Sequence, residues 1–371
     1  NAIVPTYPPG LPLHFALAGA LAGEWGERTV VPLLGALGIW CTFLLGRRLA
    51  GALAGLAAAV LLATSPVWLN QLVQPMSDVP VTAWWLASLA LASATRGRIW
   101  TRVAAAGAAA GLAWLVRPNL VLLLPVPLLL SLSQGHSISS AKWRALAGYT
   151  AGALPALVLL AAFNTALYGA PWTSGYGSAN ELFAVSFVAT NVGLYSGWLA
   201  DVHAPLLLAA ALGAGVLVAW RRRPGVRALS PALAVLALAV VASYLAYAPF
   251  ETWTYLRFLL PAIAVLALAA GALVEAAVGP GSRFVAPVAL LALVALAGSS
   301  WDLARDRDVF STARREQRYA LAAEWVNRHA PPETAMLAAQ HSGSLHAATG
   351  RAVVRWDLLD AGRAPSPSSL T

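Results

Sequence analysis

The chain alternates long apolar runs with short polar connections. The runs fall at roughly residues 30–46, 50–69, 79–95, 103–116, 119–133, 145–163, 204–220, 229–248, 258–278 and 284–300. A helix that crosses a bilayer needs about 20 apolar residues, fewer where it is tilted or re-entrant, so the pattern predicts ten membrane helices. The fourth and fifth are short and are joined by Arg117-Pro118-Asn119, where a merger would lower the count. Ahead of the first run, Tyr7 to Gly23 is moderately apolar and opens with Pro8, Pro9 and Pro12. Proline is tolerated in a first helical turn, so this stretch predicts a helix lying along the membrane interface. From Ser300 onward charges become frequent. Arg314 to His329 has the period of an amphipathic helix, and residues 335–339 and 352–354 read as short strands around a turn at His341-Ser342-Gly343. The expected fold is an all-α polytopic membrane protein with a small carboxy-terminal α/β segment. Its parts are 1–29 with the interfacial helix, a membrane domain over 30–300, and 301–371 with a Pro- and Ser-rich tail from Ala364 to Thr371.

Composition removes the soluble alternatives. Of 371 residues 59% are hydrophobic and 11% charged, and the mean hydropathy is +0.69, which excludes an ordinary soluble globular domain. A net charge of +9 would suggest nucleic acid in a soluble chain, but here the placement of charge matters more than its sum. Arg47 and Arg48; Arg96, Arg98 and Arg102; Lys142 and Arg144; Arg221, Arg222, Arg223 and Arg227; and Arg283 occupy every second connection, twelve of the 24 Lys and Arg. By the positive-inside rule those connections are cytoplasmic. The opposite ones carry Glu24, Glu27, Asp78, Glu181, Asp201 and Glu251 and face outward, which places both ends of the chain outside. Cys41 is alone inside an apolar run, so no disulfide framework exists. No Gly-rich nucleotide loop is present, which argues against a nucleotide cofactor or nucleotide-sugar donor. The first residue is Asn, no basic-then-apolar leader precedes the first run, and the sequence reads as starting inside a longer protein.

Asp78 is the only carboxylate between Arg28 and Asn180. A lone acid between apolar runs is costly near a bilayer centre, about 2.5–3.5 kcal/mol, and is therefore a functional candidate. Its structural alternative is a helix start, since Pro80 follows closely. Three clusters recur at outward helix mouths: Tyr7-Pro8-Pro9-Gly10, Gln74 to Pro80 with Ser77 and Asp78, and Glu251 to Pro261 with Tyr255 and Arg257; Arg117 joins them from the same side. Arginine meets phosphate oxygens in a bidentate way and stabilises charge growing on a departing phosphate, while a carboxylate takes a proton from an acceptor hydroxyl. The bland reading of each arginine is headgroup pairing or snorkelling. The external stretch 164–203 reads as a long loop in which Trp172, Tyr176 and Tyr195 either stack on sugar or belong to an interfacial belt. Asp201 and His203 read as a helix cap more readily than as a dyad, and His341 with His346 lacks the neighbours a metal site needs.

The order Tyr7-Pro8-Pro9-Gly10, Gly46-Arg47-Arg48-Leu49-Ala50-Gly51, Thr64-Ser65-Pro66, Gln74 to Pro80, Gly107 to Gly111 with Leu112 to Asn119, and Thr254 to Ala264 resembles the GT-C glycosyltransferases. Within them it is most similar to the branch of protein O-mannosyltransferases and the lipid A aminoarabinose transferase. The stretch from Ala322 to Asp357 is similar to the outer segment that follows the last span in bacterial members. The resemblance implies a transferase in a bacterial inner membrane that moves a sugar from a polyprenyl-phosphate donor to a lipid, glycan or protein acceptor on the outer face. Membrane lipids and the lipid-linked sugar are its implied partners, nucleic acid is not, and metal need is left open. Carried over by position, Tyr7, Pro8 and Pro9 stand in the family's Pro-Pro motif at the donor phosphate, with Tyr7 where many members have Lys or His. Asp78 matches an assisting acid, and Arg257 the arginine of an Arg-aromatic-x-x-Pro motif. Arg117 completes the phosphate set, and Gln74, Ser77, Glu251 and Tyr255 are the substrate-binding candidates. The family's main catalytic Asp precedes its Pro-Pro motif, so that base is expected upstream of Asn1. A transporter or lipid flippase is the alternative, which would need polar groups near mid-membrane and repeat symmetry.

Overall fold

The computed structural model describes residues 7–133, 139–176, 182–279, 285–338 and 342–356. Glu181, Arg283, His341 and the tail Ala364 to Thr371 fall outside them. The chain divides into two compact units, Asn1–Val309 and Phe310–Thr371.

The first unit is a helical bundle that spans a membrane. Its helices are α1 (Gly10–Leu49), α2 (Ala52–Ala63), α3 (Pro66–Leu72), α4 (Asp78–Ala92), α5 (Ile99–Val116), α6 (Pro125–Ser133), α7 (Ser139–Tyr168), α8 (Phe187–Ala219), α9 (Pro224–Leu245), α10 (Leu260–Val278) and α11 (Val285–Asp306). Two 3-10 segments, Pro118–Leu123 and Trp253–Leu259, lead into α6 and α10. Among the described residues seven helical stretches are long and apolar enough to cross a bilayer, eight if the pair α2 and α3, bent by 63°, is one span. The sequence pattern predicts ten. The difference lies in α4 and the Pro118–Ser133 stretch, which are apolar but short. At 1.5 Å per residue the 15 residues of α4 cover about 22 Å against a hydrocarbon core of about 30 Å. Almost all of α4 is buried among other helices rather than facing lipid.

α1 breaks at Ala22 and Gly23, the latter at φ +60°. A Cβ on Gly26 would lie 2.1 Å from the Ala18 carbonyl oxygen. Eight residues span about 12 Å in a straight helix, so the two halves fold sharply back on one another, and the positive φ at Gly23 makes that reversal. The stretch 164–203 is mostly helical rather than a loop: α7 runs to Tyr168, and α8 starts at Phe187 and continues through a break at His203, where φ is −133°, ahead of Pro205. Backbones of α5 and α7 meet where small residues allow it, as at Gly107, whose Cβ would lie 2.1 Å from the Tyr149 carbonyl oxygen. That close approach is how membrane helices gain dispersion contact without a hydrophobic drive.

At one end of the bundle polar side chains close helix termini. The Arg48 guanidinium donates to the Ala90 carbonyl and to Ser93 Oγ at 2.9 Å, capping α4. Glu275 Oε2 accepts from the Ala54 backbone N–H at 2.9 Å, capping α2 from α10, a favourable place for an anion.

The second unit contains α12 (Thr312–His329), β1 (Met336–Ala338), α13 (Ser342–Thr349) and β2 (Val353–Arg355). The strands pair in parallel, with Leu337 opposite Val354. A parallel pair needs a crossover, and α13 supplies it; Ser342 and Gly343 therefore begin a helix where the sequence suggests a turn. Arg351 donates to the carbonyls of Val326 at 2.8 Å and Ala330 at 2.7 Å, closing α12.

Replacing Glu275 by Ala removes the acceptor at the start of α2. The expected loss is about 1 kcal/mol, read as a lower midpoint of thermal unfolding in detergent, with Glu275→Gln falling between the variant and the parent.

Candidate functional site

The opposite end of the bundle gathers charge from three separate elements. Asp78 is the first residue of α4 and only 1% exposed. Arg117 stops α5, since Pro118 follows and the Arg117 backbone leaves the helical region at φ −141° and ψ 88°. Arg257 sits in the 3-10 segment before α10. Arg117 Nη2 lies 2.8 Å from Asp78 Oδ1, and Arg257 Nε lies 3.9 Å from Asp78 Oδ2. The arginine side chains keep 15% and 18% exposure, so the cluster opens outward on their side.

The partners of Arg117 are well defined. Its Nε donates to Ser77 Oγ at 3.0 Å and its Nη1 to the Tyr244 hydroxyl at 2.6 Å. Asn119 Nδ2 donates to the same hydroxyl at 3.1 Å. The Phe258 ring lies 4.9 Å from the Arg117 guanidinium carbon and 5.3 Å from that of Arg257, and Tyr255 lies 4.6 Å from the latter. Such rings stabilise cations that have left water. Behind them Tyr244, Tyr247, Phe250, Tyr255 and Phe258 form one aromatic cluster, with Phe250 and Tyr255 stacked at 3.9 Å.

The cluster is incompletely bonded. Although Arg117 is close, neither Asp78 oxygen receives an aligned hydrogen bond, and the buried Arg257 Nε has no acceptor. Buried polar groups are nearly always satisfied, so three ion-paired atoms without a hydrogen bond around one carboxylate and one guanidinium make this cluster the candidate site, although Trp68, Gln71, Trp85 and Arg102 also keep buried atoms without a partner among the described residues. No group of three His, Cys, Asp or Glu suited to a metal occurs among the described residues.

The remaining candidates divide. Ser77 joins the cluster through Arg117, and Tyr255 through Arg257. Gln74 lies apart: its Nε2 donates to the Asn70 carbonyl at 2.8 Å, closing α3. Glu251 is exposed and makes no ion pair among the described residues. Tyr7 is 68% exposed, its ring edge-on to Tyr176 at 5.9 Å. Pro9 is buried, and a Cβ on Gly10 would lie 2.4 Å from the Leu115 carbonyl carbon, so the Pro-Pro-Gly turn presses on the end of α5 just before Arg117. His14 holds it there, donating from Nδ1 to the Gly10 carbonyl at 2.7 Å and accepting on Nε2 from Trp84 at 3.1 Å. Tyr7 and Pro8 line a cavity of about 280 Å³ with Trp114, Pro118, Asn164 and Trp172. That cavity adjoins the ionic cluster through the Arg117-Pro118 step but is not lined by Asp78 or Arg257. Of the external aromatics, Tyr195 is buried, its ring edge-on to Trp198 at 5.7 Å.

Asp201 and His203 are no dyad. Asp201 pairs with Arg307 at 2.5 Å, and His203 is buried with Nε2 3.4 Å from Ser65 Oγ. Both lie at the break in α8 at His203. Sequence reasoning missed Tyr244, Asn119 and Phe258. Asn119 and Phe258 lie directly beside the chosen arginines, which was a usable signal; Tyr244 carried none.

Residues 6–168 match the family described as dolichyl-phosphate-mannose-protein mannosyltransferase. No curated protein sequence matches the chain. Among solved structures, ArnT from Cupriavidus metallidurans bound to undecaprenyl phosphate is similar at 15% identity and a TM-score of 0.61, over 94% of this chain and 75% of that one. The Archaeoglobus fulgidus oligosaccharyltransferase complex with zinc and sulfate reaches 0.64 at 15% identity, over 94% of this chain and 54% of that one. The same archaeon's AglB, in complex with an inhibitory peptide and a dolichol-phosphate, gives 0.61 at 13% identity, over 94% and 56%. The chain has the GT-C fold.

Asp78→Ala leaves two partly buried guanidiniums without their counter-charge. Removing one partner of a buried pair costs about 3–5 kcal/mol, and the exposed flanks of the arginines place the expected loss at the low end. A thermal unfolding midpoint in detergent within a degree of the parent would show that the pair carries no such strain.

Proposed function

We infer that this chain is a membrane glycosyltransferase of the GT-C superfamily that takes its sugar from a polyprenyl-phosphate donor. The observation that carries the reading is the buried carboxylate flanked by two arginines with unspent hydrogen-bonding positions, at one mouth of a GT-C bundle. The family match over residues 6–168 and the lipid-phosphate complexes of the structural neighbours support it.

Arg117 and Arg257 bind the phosphate that links sugar to lipid. The bond from the anomeric carbon to the phosphate oxygen breaks, its electron pair stays on that oxygen, and the acceptor's nucleophilic atom takes its place on the sugar. Charge therefore grows on the phosphate as the bond opens, and two fixed cations in a low-dielectric pocket stabilise it more than water does. Asp78 has two jobs. It aligns the guanidiniums, and its open lone pairs accept from a hydroxyl of the incoming substrates, assisting removal of the acceptor proton. Tyr7 and Pro8, at the cavity beside Arg117, guide the donor toward the arginines, and Ser77 and Tyr255 hold those arginines in place. The basic connections at the other end of the bundle support a site that faces the outside of a bacterial inner membrane.

In membranes containing the full-length protein and supplied with the lipid-linked sugar, Arg117→Ala and Arg257→Ala should each lower transfer by roughly a hundredfold or more, and Asp78→Asn by less, with insertion unchanged. Full turnover in all three would remove the assignment. For orientation, a cysteine in place of Trp172 should react with an impermeant thiol reagent from outside, and one in place of Arg222 only after the membrane is opened; the reverse pattern inverts the topology.

A further inference from the structure

Tyr244 is the penultimate residue of α9 and 1% exposed. It is held from both ends. Its hydroxyl accepts from Arg117 Nη1 at 2.6 Å and from Asn119 Nδ2 at 3.1 Å, which fills both oxygen lone pairs. At the backbone end, Asn191 Nδ2 reaches the carbonyls of Tyr244 at 3.3 Å, Leu245 at 3.0 Å and Tyr247 at 2.6 Å, so one buried side chain from α8 closes α9 just where the tyrosine sits. Between the ends the ring stacks on Phe258 at 4.7 Å and 12°, and Phe258 is the residue beside Arg257.

A guanidinium has five N–H groups in one plane. In Arg117, Nε is committed to Ser77 and one hydrogen of Nη1 to Tyr244. Two bonds from different elements define the plane, and Nη2 faces Asp78 Oδ1 as an ion pair at 2.8 Å; the second hydrogens of Nη1 and Nη2, at the far end of the group, are left for a ligand. Without Tyr244 the group would be held only along its Ser77–Asp78 edge, with Nη1 unanchored. We propose that Tyr244 is a positioning residue for Arg117: its hydroxyl, braced by Asn119, fixes the guanidinium plane so that the unspent N–H groups meet the donor phosphate as a fork. This rests on the lipid-phosphate reading above and names the part of the fold that makes it work.

The test is binding of undecaprenyl phosphate to the full chain in nanodiscs. Tyr244→Phe keeps the ring and its stack on Phe258 and removes only the hydroxyl. Affinity should fall roughly tenfold while the thermal unfolding midpoint stays near the parent value. In an Arg117→Lys background, where there is no planar fork to hold, adding Tyr244→Phe should change affinity no further, because a residue that acts through another is non-additive with it. If Tyr244→Phe does not fold, Asn119→Ala, which leaves the ring packed and removes the brace, should weaken binding in the same direction, by roughly threefold, again only when Arg117 is present. Parent-like affinity in the folded variant, or losses that multiply in the double mutant, would overturn the positioning role alone. A parent chain that binds no lipid phosphate would overturn the functional reading and this inference with it.

Discussion

A carboxylate that has lost nearly all contact with water needs positive charge close by, and in this bundle that demand organises one whole end of the molecule. Asp78 starts α4; Arg117 ends α5; Arg257 precedes α10. Their ion pairs draw three chain segments together, and the hydrogen bonds of Arg117 to Ser77 and Tyr244 add a fourth. Buried ion pairs are poor stabilisers by themselves, because desolvation offsets most of the attraction and a well-packed apolar replacement often folds as well. The arrangement therefore makes more sense as a site than as a rivet.

The two ends of the bundle show the contrast. At one, Arg48 and Glu275 close helix termini, and each finds its acceptor or donor within the protein. At the other, both Asp78 oxygens and Arg257 Nε are buried without a completed bond. Arg48 and Glu275 thus act as caps, whereas Asp78 and Arg257 keep bonding positions open. Aromatic rings reinforce the second case. Phe258 and Tyr255 stabilise the cations through their faces and leave the N–H groups unspent.

Much of this was legible in the chain. The lone acid, the arginine before Pro118 and the arginine ahead of Pro261 were each recognisable by their rarity among apolar neighbours, and they meet. Gln74 and Glu251 looked equivalent to Ser77 and do not join them, because side-chain direction at a helix end depends on which carbonyls are left open: Gln74 turns back to Asn70. The reading of 164–203 as a loop failed for a related reason. Gly, Ser and Asn are poor helix formers in water, but packing overrides that preference, and α8 begins well before the apolar run that announced it.

The sequence by itself determined the membrane helices and their rough limits, since in lipid each backbone must satisfy its own hydrogen bonds and a long apolar run can do so only as a helix. It also determined which charges are scarce enough to matter. Only the tertiary structure decided which of them share a site. Arg117 meets Ser77 across 40 residues and Tyr244 across 127, and no local pattern encodes those meetings; they follow from how the small-residue faces of the helices pack.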